Sequence, residues 1–392
     1  MSGNRAHSFS LISTYDEDRL IALLEESRAR LDGPTSCVIA HVSSDWRPHM
    51  QDFLEIVQVH GHAPLVVGCS GDGFIGVGEE NENVSGCSIL FLNLPNTEIR
   101  CHEITSREVE RAEGEAYWQR VTGVPSDDLA GWIFMGNPIE FDTEMWLRGW
   151  NASYPGVPTF GGLASGGRNE NEIFLLRESG VLESGALAVS FRGGVRMAGV
   201  ISQGCRPIGE PYTITSVDRN VLLGIGSRRA YEVLEETFNT LEEDEKEEAQ
   251  GNILAGLAMS EYRDEFASGD FLIRNILGGD PDAGALAIGA FPRVGQTMQF
   301  QVRDSDTADE ELHRLCRGTQ GEYGEPFAGL IYTCTGRGQR MFGAPNHDAG
   351  VVEETFGRVP FSGFFCNGEI GPVGDTTFVH AYTASLAFFF NP

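Results

Sequence analysis

Short apolar runs alternate with amphipathic segments along the chain, and this alternation predicts a mixed α/β fold. Residues 16–31 (DEDRLIALLEESRARL) carry leucines at helical spacing after an acidic start. In contrast, CVIAHVS from Cys37 and PLVVG from Pro64 are continuous apolar runs typical of buried strands. The pattern continues with GCSILFLNL from Gly86 and GWIFMG from Gly131. We therefore expect strands separated by helices rather than a helical bundle or a β-sandwich.

The middle of the chain contains a predicted hairpin and a predicted boundary. The strand-like runs 172–178 and 185–191 enclose a short polar segment, as the two strands of a hairpin would. A polar, acidic helical segment ends near Gln250, and strand-like runs resume at Phe271. We predict four segments: an N-terminal extension with a helix (1–35), an N-terminal domain (36–230), an acidic helical connector (231–250) and a C-terminal domain (251–392).

Three glycine-rich strand ends in the sequence resemble one another. LVVGCSGDGFIG (65–76) and PFSGFFCNGEIG (360–371) share an apolar strand followed by Gly, Cys, Gly and Ile-Gly. VPTFGGLASGG from Val157 is a weaker version. One explanation of this similarity is chance. The alternative is a pseudo-symmetric fold of two sheet-rich halves with flanking helices, whose equivalent loops converge on a cleft between the halves. Such clefts are common ligand sites.

Candidate ligand-binding residues lie in these stretches and in TCTGRG (333–338). Backbone N–H groups at the glycines could hold an anionic group. Glu369 could pair with an ammonium group or hydrogen-bond its own turn, and Arg337 could hold a carboxylate or form an ordinary salt bridge. The predicted ligand-binding residues are Gly68, Cys69, Ser70, Gly73, Gly161, Gly162, Cys334, Arg337, Cys366, Asn367, Gly368 and Glu369.

The eight cysteines form no CxxC pair and no Cys/His cluster with zinc-ligand spacing, so we predict no metal site and no disulfide. Cys334 is the best candidate for a nucleophile, because Arg337 follows three residues later and a nearby cation favours the thiolate. The alternative is that these cysteines pack as small apolar residues near a pocket. We assign no catalytic residue and favour a protein that is not an enzyme.

The segment GDGFIG partly imitates a dinucleotide-binding fingerprint through Gly71, Gly73 and Gly76. The residues that follow are acidic and not helical, so no helix N-terminus faces a pyrophosphate. No Walker motif is present. We therefore predict no cofactor.

The formal net charge of −29 argues against binding to nucleic acid or to anionic membranes. No apolar run approaches the roughly 20 residues that a membrane-spanning helix needs. The first residues lack the apolar core and cleavage pattern of a signal peptide. We therefore expect a cytoplasmic protein without membrane insertion.

Several motifs occur in order: FLIRNILGGDP, MQFQVRD, TCTGRG and FSGFFCNGEIGP, with GCSGDGFIG and VPTFGGLASGG upstream. In these motifs, over roughly residues 36–385, the chain resembles the FIST (F-box and intracellular signal transduction) family. The resemblance implies an N-terminal FIST domain and its C-terminal partner, which jointly sense a small molecule such as an amino acid or a related metabolite. It also implies a separate signalling partner, such as a kinase or chemoreceptor. A cysteine-dependent hydrolase or transferase and an interaction scaffold are the alternatives.

Overall fold

The computed structural model describes residues 3–167, 172–261, 266 and 269–392. It divides into two compact units, of which unit 1 comprises Met1–Ile201 with Leu312–Pro392 and unit 2 comprises Ser202–Glu311. The mixed α/β fold predicted from the sequence is confirmed. Within the described ranges, no helix has both the length and the apolar character needed to cross a membrane.

Unit 1 contains three copies of one arrangement, which we call repeats 1, 2 and 3. Each has an edge strand, helical structure, a parallel strand pair joined by helical structure, a hairpin and a last strand. Repeat 1 comprises β1 (Arg5–Ile12), α1 (Glu17–Leu31), β2 (Cys37–Ser43), a 3₁₀ segment (Ser44–His49), α2 (Met50–Gly61), β3 (Val66–Gly71), β4 (Gly73–Gly76), β5 (Glu79–Glu82) and β6 (Gly86–Asn93). Repeat 2 comprises β7 (Thr97–Ile104), α3 (Ser106–Glu110), α4 (Tyr117–Thr122), β8 (Leu129–Gly136), α5 (Thr143–Ser153), β9 (Thr159–Leu163), β10 (Leu175–Arg177), β11 (Gly180–Leu182) and β12 (Ala186–Gly193).

Repeat 3 is interrupted by unit 2. It begins with β13 (Arg196–Ser202). The intervening elements are β14 (Cys205–Asp218), β15 (Val221–Ile225), β16 (Arg228–Arg229), α6 (Ala230–Asn239), α7 (Glu243–Ala249), β17 (Ile253–Ala258), β18 (Phe271–Asp280), β19 (Ala285–Ile288) and β20 (Thr297–Arg303). Repeat 3 then continues with α8 (Ser305–Tyr323), β21 (Ala328–Cys334), α9 (Gln339–Phe342), α10 (His347–Phe356), β22 (Phe361–Cys366), β23 (Glu369–Val373), β24 (Thr376–His380) and β25 (Ala384–Phe390).

The three sheets of unit 1 have the same strand order. Their orders are β1-β6-β2-β3-β10-β11, β7-β12-β8-β9-β23-β24 and β13-β25-β21-β22-β4-β5. In each sheet the third and fourth strands form a parallel pair. The hairpin at the end of each sheet comes from another repeat, so the three repeats exchange hairpins in a closed cycle. Because of this exchange, the predicted hairpin of residues 172–178 with 185–191 is wrong: β10 pairs with β3 and β11, whereas β12 pairs with β7 and β8.

A glycine at the same register position of each parallel pair shows that the repeats are equivalent. Each glycine lies so close to the neighbouring strand that an added Cβ would meet a backbone carbonyl oxygen. The pairs are Gly68 with Ala40, Gly161 with Phe134 and Gly363 with Ile331, at 1.8, 1.9 and 2.1 Å. The three glycine-rich stretches of the sequence are therefore equivalent strand ends, and the weaker copy in repeat 2 is a full member of the set.

The three sheets share one hydrophobic core. It includes Val67 and Leu90 from the first sheet, Ile133 and Phe160 from the second, and Leu330 and Phe364 from the third. Further clusters on these sheets contain side chains from α1 and α2, from α5, and from α8 and α10. Since the central strands are covered on both faces, they are continuously apolar, as the sequence pattern of parallel strands requires.

Unit 2 has its own sheet, in the order β14-β20-β17-β18-β19-β15-β16. Its core includes Ile214, Leu286 and Phe300 from the sheet and Val233 from α6. The predicted connector, 231–250, falls in α6 and α7. The two compact units are defined by contacts in the structure and do not test the domains predicted from the sequence. The domains 36–230 and 251–392 therefore stay a prediction.

Candidate functional site

The ends of β3, β9 and β22 are joined by hydrogen bonds. The Ser165 amide donates to the Ser70 carbonyl oxygen at 3.1 Å, and the Asn367 amide donates to the Leu163 carbonyl oxygen at 3.0 Å. The Ser165 hydroxyl also donates to the carbonyl oxygen of Phe365. The three predicted stretches therefore meet, although each belongs to a different repeat.

An open cavity of about 780 Å³ lies at the carboxyl ends of β2 and β3. This is the usual position of ligand sites in open α/β sheets, and the volume is within the range of small-molecule sites. Its polar and charged lining includes Ser43, Asp45, Arg47, Asp72, Ser85 and Glu172. Gly71 and Asp72, which also line it, lie between the predicted residues Ser70 and Gly73, but none of the twelve predicted residues is among the described residues that line the cavity.

Arg47 is the one cation among the described residues that line this cavity. Its guanidinium contacts the carboxylate of Glu183 and lies 5.6 Å from the centre of the Phe174 ring. The Nη1 atom is buried and makes no hydrogen bond with any described group. Sequence reasoning missed Arg47, because a single arginine in the turn after a strand carries no motif. Its only signal was its position after the first strand of a parallel pair.

Asp72 directly follows β3 in the sequence, whereas Arg47 follows β2. The Asp72 amide donates to the Ser165 hydroxyl oxygen at 3.0 Å, which positions the residue at the junction of the three strands. Partial burial raises the pKa of the Asp72 carboxyl. A cationic partner stabilises the ionised form of a partly buried carboxyl, because it offsets the hydration that the carboxylate has lost.

A second cluster lies at the ends of β21 and β22 and is closed. Cys334 and Cys366 are paired in register. The Cys366 thiol donates to Oε1 of Glu369 at 3.2 Å and the Thr383 amide donates to Oε2 at 3.1 Å, while the Cys334 thiol interacts electrostatically with the same carboxyl. Glu369 is fully buried, and desolvation raises its pKa to about 8 despite these donors and the nearby Arg337.

Arg337 is also fully buried and is held by Asp348 of α10. Its Nε and Nη2 atoms donate to the two carboxylate oxygens at 2.9 and 2.8 Å. Burial opposes the ionisation of Asp348, but the guanidinium and His347 outweigh it and hold the pKa of this carboxyl well below its usual range. The structure places Asp348 where the prediction placed a ligand carboxylate, and the sequence contained no signal for this partner.

Burial favours the protonated state of three thiols, those of Cys69, Cys334 and Cys366. Desolvation and the nearby Glu369 raise the pKa of Cys334 to about 12, and burial raises the pKa values of Cys69 and Cys366 well above the ordinary thiol value. A nucleophilic cysteine needs the opposite shift. Among the residues that the structure describes, no group of three or more His, Cys, Asp or Glu side chains is arranged to hold a metal ion.

The open cavity and the closed cluster occupy equivalent places in repeats 1 and 3. Ser43 pairs in register with Gly71, as Cys334 pairs with Cys366, and each pair lies three residues beyond the equivalent glycine contacts. At this position repeat 1 has the hydroxyl of Ser43 and the glycine Gly71. In repeat 3 the same position is filled by the two thiols and the carboxyl of Glu369. The cavity is therefore the open counterpart of the predicted Cys366 site.

The remaining predicted residues lie around these two places. Gly162 packs against Cys366, since an added Cβ would lie 3.1 Å from its Sγ. Gly68 and Gly161 lie inside strands, and Cys69 is fully buried in β3. Gly73 begins β4, and the Gly368 carbonyl oxygen accepts from the Leu163 amide at 2.8 Å. The structure thus groups Gly162, Cys334, Arg337, Cys366 and Glu369 and places the Ser70 and Gly73 stretch beside the open cavity.

Comparisons with known proteins agree with the motifs found in the sequence. The model of the FIST N domain matches residues 36–228, and the model of the FIST C domain matches residues 230–372. The chain is 35% identical over 386 residues to an uncharacterized protein of Mycobacterium tuberculosis, covering 96% of this chain and 98% of that protein. It is 38% identical over 258 residues to an uncharacterized protein of Mycobacterium bovis, covering 66% and 67% of the two chains.

More distant similarities are of two kinds. An F-box/LRR-repeat protein of Arabidopsis thaliana is 30% identical over 105 residues, covering 26% of this chain and 20% of that protein. Among solved structures, a cyanuric acid hydrolase from A. caulinodans aligns over 99% of both chains with a TM-score of 0.33 and 10% identity. A chorismatase aligns over 100% of this chain and 99% of its own with a TM-score of 0.32 and 8% identity.

Proposed function

Because the chain belongs to the FIST family, whose domains are sensory domains of signal transduction, we propose that it senses a small zwitterionic metabolite of the amino-acid type. The observation that carries this proposal is the open cavity of about 780 Å³ at the ends of β2 and β3. In this proposal the protein is cytoplasmic and passes its signal to a separate protein, such as a kinase or chemoreceptor.

The charges of the cavity match the two ends of an amino acid. The partly exposed guanidinium of Arg47 offers donors for a carboxylate, and it binds carboxylates well because its geometry matches theirs. Asp45, Asp72 and Glu172 offer acceptors for an ammonium group. Both charged ends would find partners in the cavity, whereas a simple amine or a simple acid would satisfy only one side.

The thiol chemistry of the two clusters does not favour the hydrolase or transferase alternative. Burial disfavours the thiolate at Cys69, Cys334 and Cys366, whereas a resting cysteine nucleophile needs a lowered thiol pKa. We therefore propose ligand binding without covalent catalysis.

A thermal-shift screen tests the proposal, with each amino acid compared with its decarboxylated amine and its 2-oxo acid. At a hundredfold excess over Kd, a ligand adds about 2.7 kcal/mol to the stability of the folded protein. We expect the amino acid to shift the Tm by several degrees and the two truncated compounds to shift it much less. Calorimetric titration then gives the Kd.

Two variants and two matched controls locate the site. Arg47→Gln and Asp72→Asn should each weaken binding at least about tenfold, because each removes a charged partner from one end of the ligand. Arg148→Gln and Asp218→Asn change exposed residues of the same types and should bind as the wild type does. Unchanged binding in both cavity variants would rule out this cavity, and a full screen without any stabilising amino acid would rule out this class of ligand.

A further inference from the structure

We propose that Cys334 and Cys366 are a peroxide-sensitive pair that forms a reversible disulfide between β21 and β22. This modification site lies outside the open cavity, and it does not depend on the ligand-binding proposal. It uses the two thiols as reductants toward a hydroperoxide and forms no covalent intermediate with a substrate. Because burial favours the protonated thiols, the first sulfur attacks the peroxide oxygen as its proton passes to the carboxyl of Glu369 and on to the departing oxygen.

The register places the two cysteines within bonding distance. They are direct partners at the ends of a parallel pair, where neighbouring strands lie about 4.8 Å apart. Disulfides span Cα separations of about 4.4–6.8 Å. Register partners on adjacent strands present their side chains on the same face of the sheet, and the Cys366 thiol donates to the carboxyl of Glu369, which also interacts electrostatically with Cys334.

The local backbone is suited to the small movement that the bond requires. Each cysteine is the last residue of its strand, and Gly336 and Gly368 follow two residues later. Glycine allows the chain to adjust its conformation at these positions at little steric cost. Disulfides across adjacent strands at the limit of the usual geometry are more easily reduced than relaxed structural ones, which suits a reversible modification.

Access differs between the two thiols and sets the order of events. Cys334 is partly exposed, whereas Cys366 is buried behind it. A hydroperoxide therefore reaches Cys334 first and oxidises its sulfur to sulfenic acid, while the peroxide O–O bond breaks and yields water or an alcohol. The Cys366 sulfur then attacks the Cys334 sulfur, the S–S bond forms and the S–O bond breaks.

Glu369 is placed to move the proton of the second step. Its Oε1 atom accepts the hydrogen bond of the Cys366 thiol, so it receives the proton as this sulfur attacks. The same carboxyl interacts electrostatically with the Cys334 side chain and passes the proton to the leaving hydroxide, which departs as water. The overall change is two thiols and one hydroperoxide to one disulfide, one water and one water or alcohol.

A second pair of cysteines in unit 1 offers a matched control. Cys101 is partly exposed like Cys334, and the buried Cys37 lies close enough to interact with it electrostatically. These two belong to different sheets, where Cys37 is paired with Leu92 and Cys101 with Val189. They share no register position, and among the described contacts neither thiol donates to a carboxyl. We therefore expect no disulfide between them.

Peptide mapping of the full-length protein after treatment with hydrogen peroxide tests the proposal. Trypsin cleaves after Arg317, Arg337 and Arg358, which separates the two cysteines into peptides 318–337 and 359–392. After alkylation of free thiols, we expect these two peptides linked, with the loss of two hydrogens and full reversal by dithiothreitol. The measurement is made at about pH 8.5, where more of Glu369 is ionised. The titratable and charged groups that act on Glu369 are Cys334, Cys366 and Arg337, and His380 on the neighbouring strand is its register partner.

Three variants separate the steps. Cys366→Ser should trap Cys334 as a sulfenic acid that a dimedone probe labels, and Cys101→Ser should form the linked peptides at the wild-type rate. Glu369→Gln should slow their formation by about a hundredfold, the scale of general acid–base assistance. If wild-type protein yielded oxidised Cys334 or Cys101 but no linked peptides, the proposal would be overturned. Because that test uses the wild-type protein, it decides the proposal even if a variant fails to fold.

Discussion

Arg337 donates two parallel hydrogen bonds to Asp348 at 2.9 and 2.8 Å, and neither side chain is more than 1% exposed. This relationship joins the turn after β21 to the first turn of α10, and it lies beside the carboxyl of Glu369. A cation that sequence alone would assign to a ligand is therefore part of the framework. Its role is to neutralise a carboxylate that the fold removes from water.

Arg337→Met should destabilise unit 1 by about 3–5 kcal/mol, because it leaves the charge of Asp348 buried without its partner. Urea denaturation measures the loss. The double variant Arg337→Met/Asp348→Leu should recover much of it, since replacing both members of a buried pair is often close to neutral. Arg148→Gln is the control for an exposed arginine. A loss below 1 kcal/mol in the single variant would contradict the assignment.

The sequence predicted the strand ends of the site but not how they are combined. The glycine-rich stretches ending at Gly71 and Cys366 were visible because tight strand contacts need glycine locally, as at Gly68 and Gly363. The exchange of hairpins between repeats was not visible. Pairing between distant strands depends on tertiary contacts rather than on local pattern, and unit 2 further separates the parts of repeat 3.

The roles of single charged residues were the second feature that could not be predicted from the sequence. Arg47 and Asp348 belong to no motif, and each acquires its role only from what the fold places beside it. Glu369 was found because it follows a glycine at a strand end, but its burial could not be read from local sequence. The sequence thus predicted which loops form the site but not which side chains contact one another within it.

The pH dependence of stability should reflect two buried carboxyls. Burial raises the pKa of Glu369 to about 8, and burial with the nearby Asp348 raises the pKa of Glu80 to about 7, both from an ordinary value of 4.5. The folded state therefore binds more protons than the unfolded state between these values. Stability should be highest near pH 4.5 with respect to these groups and fall as the pH rises through about 7 to 8.

Thermal unfolding between about pH 5 and 9 checks this sign. Glu369→Gln keeps an acceptor for the Thr383 amide but cannot ionise, so it should reduce the decline in Tm at the alkaline end. Glu113→Gln changes an exposed glutamate and should leave the profile as in the wild type. A Glu369→Gln profile with the same slope as the wild type would show that Glu369 does not titrate in this range.

The equivalent glycines should resist substitution in all three repeats. Gly68→Ala, Gly161→Ala and Gly363→Ala each force a Cβ to within about 2 Å of a carbonyl oxygen of the adjoining strand, and backbone cannot yield as a side chain can. We expect losses of about 1–3 kcal/mol or more in denaturant unfolding. Gly350→Ala is the control: it has no neighbour within 4 Å, lies in α10 and should gain about 0.5–1 kcal/mol. Three alanine variants as stable as the wild type would contradict the register.

Ser165 should be worth more to stability than an ordinary serine, because its hydroxyl joins two strand ends. It donates to the Phe365 carbonyl oxygen and accepts from the Asp72 amide at 3.0 Å, and the residue is 1% exposed. Ser165→Ala leaves both backbone groups without this partner and should cost about 1–3 kcal/mol in urea unfolding. Ser184→Ala, at an exposed position, should change stability by less than about 0.5 kcal/mol. Because the Asp72 amide would lose its anchor, Ser165→Ala should also weaken ligand binding in the cavity. Equal stability of the two serine variants would show that the junction is held by the strand-end backbone hydrogen bonds alone.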